Sequence, residues 1–143
     1  MPSILTEISL DHTLERVWQV LVDFDHYAEW NPLNIKAKGQ ARLGARIPMT
    51  FLNPASPGST IRQTVTVTTF EPGRALAWSG SIPFLFNGRH YFTLSKEASG
   101  VRLQHGEDLG GWIGNGFTPT QIARDFVPHY EAVNLALAQR LAI

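Results

Sequence analysis

The sequence contains no cysteine, so disulfides, thiolate nucleophiles and cysteine-based zinc sites are excluded. It has no surplus of charge: 12 Lys and Arg balance 12 Asp and Glu. A protein that neutralises nucleic-acid phosphates draws its affinity from a basic excess, so nucleic acid is not an expected partner. Like charges form no run. No apolar stretch approaches the roughly 20 residues that span a bilayer, so stable membrane insertion is not expected. The opening residues Met1-Pro2-Ser3-Ile4-Leu5-Thr6-Glu7 lack the basic start and apolar stretch of a secretion signal. The expected compartment is the cytoplasm. Chemical motifs are equally sparse. Gly80-Ser81 has no nucleophile-elbow context, the glycines of 110–116 precede no Lys-Ser/Thr, and no His-Glu-x-x-His occurs.

What is present is a pattern of short strands. At 143 residues, 43% of them hydrophobic, the chain can bury one core, and a single domain over 1–143 is expected. Ile4, Thr6, Ile8 and Leu10 alternate with polar positions as a half-buried strand does. Leu14, Val17, Trp18, Leu21 and Val22 then fall at helical spacing behind the N-cap Thr13. A second short helical turn, Asp25 to Trp30, ends at Asn31-Pro32. Glycine and proline clusters divide the next stretch into strands at 34–40, 45–53, 59–70, 74–81, 88–96 and 101–108. A glycine-rich connection around Trp112 follows, suited to a mobile lid. The last helix opens on a capping box, Thr118-Pro119-x-Gln121, and carries the stripe Ile122, Phe126, Tyr130, Val133, Leu137 and Leu141. Pro128 interrupts its hydrogen-bond ladder and predicts a bend. Strands joined by short turns pair antiparallel, and the final helix is the only large element that can cover their apolar face. The expected fold is α+β: a curved antiparallel sheet around a long C-terminal helix, with an apolar cavity between them.

The residues Val17-Trp18-x-x-Leu21-x-Asp23-Phe24-x-x-Tyr27-x-x-Trp30-Asn31-Pro32 resemble the N-terminal signature of the START-like, or SRPBCC, superfamily. Trp78-x-Gly80, Phe86-x-Gly88-x-His90-x-Phe92, His105-Gly106-Glu107-x-x-Gly110 and Tyr130-Glu131-Ala132-Val133-Asn134-x-Ala136-Leu137 resemble its bacterial polyketide cyclase/dehydrase-like branch. The resemblance implies the helix-grip fold of Bet v 1-type proteins. It also implies one of several roles: a lipid, polyketide or quinone carrier, a cyclase, or a chaperone co-factor. The sequence departs from the pattern at Asp108-Leu109-Gly110, where an aromatic is usual before the glycine.

If Glu97-Ala98-Ser99-Gly100 is a turn, Phe92 pairs with His105 and His90 with Glu107, all on the apolar face. His90, Glu107 and His105 are therefore the candidate catalytic residues, with His90 and Glu107 as an acid–base pair. Equally, the two side chains can simply satisfy each other in the core. The expected ligand lining is Trp30, Gln63, Trp78, His90, Phe92, His105, Glu107, Trp112, Phe126 and Tyr130. Two histidines and a carboxylate at undistinctive spacing do not make a metal site, and no metal or cofactor is expected. His12, His26 and His129 read as surface residues, and Arg89 with Asp108 as an outer-face ion pair. The favoured function is binding of a small hydrophobic or amphipathic ligand. A cyclase or dehydratase is the alternative, and a protein-interaction module with no identifiable partner is the third.

Overall fold

The computed structural model describes residues 2–82 and 86–143. Strand β1 (Ser3–Leu10) leads into helix α1 (Leu14–Val22) and a 3-10 helix (Phe24–Glu29). Six strands follow: β2 (Asn34–Ala37), β3 (Arg46–Leu52), β4 (Thr60–Glu71), β5 (Ala75–Ile82), β6 (Phe86–Glu97) and β7 (Gly100–Gly110). They form one seven-stranded antiparallel sheet in the order β1-β7-β6-β5-β4-β3-β2. The sheet curves into a half-barrel around the C-terminal helix.

Local chemistry sets these elements. The Thr13 side chain accepts from the Arg16 N–H at 3.1 Å, capping α1 as its position predicts. Asn31 Oδ1 accepts from the N–H groups of Leu33 and Asn34 at 3.0 and 2.8 Å, which turns the chain into β2. That strand stops at Ala37, three residues short of the predicted end. Gly39 adopts φ +135°, which a regular pleat does not accommodate. In β4 the register shifts between Val67 and Thr69. The extra residue lets Phe70, rather than Thr69, return to the inner face, where it meets Trp18 edge-on at 5.5 Å.

The segment that reads as one final helix is built in three parts. Helix α3 (Pro119–Gln121) carries the predicted capping box, a π-turn (Ile122–Phe126) follows, and α4 (Val127–Leu141) completes it. The Val127 N–H reaches back to the Ile122 carbonyl, so the backbone is already displaced from α spacing where Pro128 offers no donor. The predicted glycine-rich connection is a short helix as well, α2 (Gly111–Asn115).

The interior holds two apolar clusters. The larger joins α1, the 3-10 helix and the sheet to Leu137 and Leu141 of α4. The smaller gathers Ile4, Leu33 and Leu109 beneath Ile122, Phe126, Tyr130 and Val133. Large side chains buried this completely contribute about 1.5–3 kcal/mol each, so helix and sheet are held together chiefly by this packing.

Candidate functional site

The hairpin β6/β7 builds the centre of the site. Its register is the one predicted from the turn: His90 opposite Glu107, Phe92 opposite His105. All four side chains face the helix. Phe92 stacks on His105 with centroids 4.3 Å apart, and Trp78 stacks on His90 at 4.8 Å. From the helix side, Tyr130 stacks on His90 at 5.3 Å and donates its hydroxyl to Glu107 Oε1.

A chain of directed hydrogen bonds runs inward from there. The Thr6 hydroxyl donates to the His105 carbonyl at 2.7 Å, so it must accept from Asn134 Nδ2, 2.9 Å away. That fixes the Asn134 amide, whose Oδ1 lies 3.0 Å from His105 Nδ1. Nδ1 of His105 therefore carries a proton. Burial first, and then the neighbouring His90, hold this imidazole well below the usual histidine range. It is neutral, its Nε2 is bare, and His90 Nε2 at 2.7 Å must donate to it.

His90 Nδ1 faces Glu107 Oε1 at 3.3 Å. His105 is fully buried and His90 is 5% exposed, so water does not compete for the bond between them. Burial and the adjacent Glu107 also push the Tyr130 hydroxyl well above its ordinary range, which keeps it a donor. The imidazole nitrogens are turned toward each other rather than toward a common point. Among the described residues no group of three His, Cys, Asp or Glu side chains is arranged to hold a metal ion.

Beside this chain lies a cavity of about 250 Å³. Gln63, Trp78, His90, Glu107, Phe126 and Tyr130 line it. The other four expected lining residues lie elsewhere. Phe92 and His105 are a layer deeper, 1% and 0% exposed, beneath His90 and Tyr130. Trp30 packs edge-on against Tyr27 at 5.3 Å and stays off the cavity wall. Trp112 is 80% exposed, because α2 turns Ile113 rather than Trp112 to the cavity. His26 is exposed, His12 and His129 are half-buried, and none of the three reaches the cavity. Arg89 and Asp108 pair at 3.8 Å on the outer face, as their opposed positions predict.

The match to known families is decisive for kinship. The family model for polyketide cyclase / dehydrase and lipid transport matches residues 1–142. The chain belongs to this family. No curated protein sequence matches it. Solved structures share its fold. A START superfamily protein from Mycobacterium smegmatis superposes with TM-score 0.79 at 13% identity, over 98% of this chain and 97% of that one. A protein from Chromobacterium violaceum gives 0.75 at 20% identity, over 100% and 99%. An AHSA1-like protein from Aeromonas hydrophila gives 0.68 at 16%, over 99% and 92%.

In this polyketide cyclase / dehydrase and lipid transport family member, the residue most clearly missed by sequence reasoning is Asn134. Its signal was a polar side chain four residues after Tyr130, on an otherwise apolar stripe. Gly80 and Gly88 were also missed. They oppose each other across β5 and β6. A Cβ on Gly80 would collide with the Gln63 amide, and one on Gly88 with Glu107 Oε2. The glycine pair thus makes room for two polar heads at the cavity wall.

Proposed function

We propose that the protein binds a small hydrophobic or amphipathic molecule, of lipid-, polyketide- or quinone-like kind, in the cavity between sheet and C-terminal helix. The observation that carries this reading is the wall itself. Phe51, Phe86, Leu109, Phe117, Phe126 and Trp78 supply apolar and aromatic surface, while Gln63 and Glu107 supply a few polar groups at one side. Ligand sites combine an apolar body with sparse orienting polar groups in this way. Native mass spectrometry of the purified protein, followed by organic extraction, tests it. A bound small molecule is expected. A protein that carries nothing and rejects a panel of sterols, fatty alcohols and aromatic polyketides overturns the reading.

A second reading is favoured by one feature, the approach of His90 Nδ1 to Glu107 Oε1 at 3.3 Å beside the cavity. Such a pair can take a proton from a bound carbon acid and return it to an oxygen, the acid–base work of a cyclase or dehydratase. No cofactor enters either reading.

A further inference from the structure

We propose that the cavity selects a flat, uncharged ligand whose polar end is a hydroxyl or amine donating to Glu107 Oε2, and that it rejects carboxylates and phosphates. The inference rests on the ligand-binding reading above and narrows it to a chemical class.

The directed hydrogen bonds decide the polarity of the wall. The His105 tautomer is set by Asn134, and it forces His90 to donate from Nε2. His90 Nδ1 then faces Glu107 Oε1 at 3.3 Å, and the Tyr130 hydroxyl donates to that same oxygen. Both neighbours of this carboxyl therefore engage Oε1 rather than Oε2. Oε2 is left a bare acceptor. Among the described residues it has no hydrogen-bond partner, and the missing side chain of Gly88 leaves space in front of it. A ligand group that only accepts, such as a ketone, an ester or a carboxylate, would meet this oxygen lone pair to lone pair and would be left with donors away from it, such as the Gln63 amide.

The rest of the wall excludes negative charge for a separate reason. Among the described residues lining the cavity there is no Lys or Arg. An anionic head would lose its hydration with no cation to replace it, close to the Glu107 carboxyl. A hydroxyl fits better, because it donates to Oε2 and can accept from the Gln63 amide beside Gly80. The aromatic surfaces of Trp78, Phe126 and Tyr130 favour a flat body, and the volume of about 250 Å³ suits a few fused rings rather than a two-chain lipid.

Matched probes with one bicyclic body test this: naphthalene, β-naphthol, β-naphthoate and methyl β-naphthyl ketone, titrated by calorimetry at neutral pH. β-Naphthol is expected to bind about tenfold or more tighter than the naphthoate and the ketone, the share of a hydrogen bond to a carboxyl group. If the naphthoate or the ketone binds as well as β-naphthol, the selectivity proposal is overturned while cavity binding stands, with naphthalene as its marker. If none of the four binds, both readings are lost. Glu107→Gln should cost β-naphthol about tenfold and narrow the gap to the naphthoate, with the thermal midpoint followed in parallel. Gly88→Ala is the second variant: its methyl would displace the Oε2 end of Glu107 and erase the same preference without changing any charge. A Gly88→Ala protein that is folded and still prefers β-naphthol counts against the proposal.

Discussion

Asn134 turns its amide oxygen to His105 Nδ1 at 3.0 Å, with both side chains buried on opposite sides of the helix–sheet interface. This contact ties α4 to the concave face at a polar point of that interface, as the Tyr130–Glu107 bond does beside it. Asn134→Leu removes the donor to Thr6 and the acceptor of His105 Nδ1. It is expected to destabilise the fold by about 1–3 kcal/mol, the cost of stranding buried polar groups. Urea denaturation measures it, and an unchanged midpoint would contradict the role given to Asn134.

The neutral state of His105 has a pH signature. An unfolded histidine titrates near about 6.5, whereas burial holds His105 well below that in the folded protein. Below about pH 6.5 the unfolded chain therefore binds a proton that the native chain refuses. Stability should fall as pH drops through this window, by up to about 1.4 kcal/mol per pH unit, and this group should add no slope above it. His26 works in the opposite direction, since its bond to Asp23 raises it, but it is exposed. Comparing the slope of stability against pH between the natural protein and His105→Gln isolates the buried group. Equal slopes would refute its neutrality.

If the acid–base reading holds, His90→Gln and Glu107→Gln should each lower turnover by about 10²–10⁴-fold while ligand affinity falls much less. Thermal midpoints must accompany the assay, because either change can strand Tyr130 or His105. Variants that stay folded and bind ligand, beside a natural protein that never yields a cyclised or dehydrated product, would leave only the carrier.

Leu137 and Trp112 predict opposite outcomes. Leu137 is fully buried in the larger cluster, so Leu137→Ala should cost about 2–5 kcal/mol. Trp112 is 80% exposed and off the cavity wall, so Trp112→Ala should change stability by less than about 0.5 kcal/mol and leave ligand affinity unaltered. Loss of ligand binding in Trp112→Ala would show that α2 presents a different face to the cavity.

The hairpin was legible in the sequence because a two-residue repeat and one turn determine every pair: once Glu97–Gly100 is the turn, His90 must oppose Glu107. Strand edges were less legible. The end of β2 depends on the positive φ of Gly39, and the inward turn of Phe70 on a bulge that alternation does not announce. Depth was not legible at all. Periodicity assigned Phe92 and His105 to the inner face correctly, but whether an inward residue lines a void or lies beneath another side chain depends on the size of its neighbours. Here the rings of His90 and Tyr130 cover them. The lateral direction of Trp112 on α2 was hidden too, since a five-residue helix has too few turns for an apolar stripe.

The π-turn at Ile122–Phe126 gives the last helix two angular phases, like two gears on one shaft set a tooth apart. Downstream of it, Tyr130, Asn134 and Leu137 are meshed with the sheet and cannot rotate without losing the polar chain and the core. Upstream, the orientation of Ile122 and of the capping box depends on the one surplus residue in the turn. Removing a residue from positions 123–125 would restore ordinary α spacing and swing everything before it by about 100° around the axis, while the meshed half stays seated. Length variation at this one place would thus let relatives of this chain remodel the roof of the cavity without renegotiating its floor.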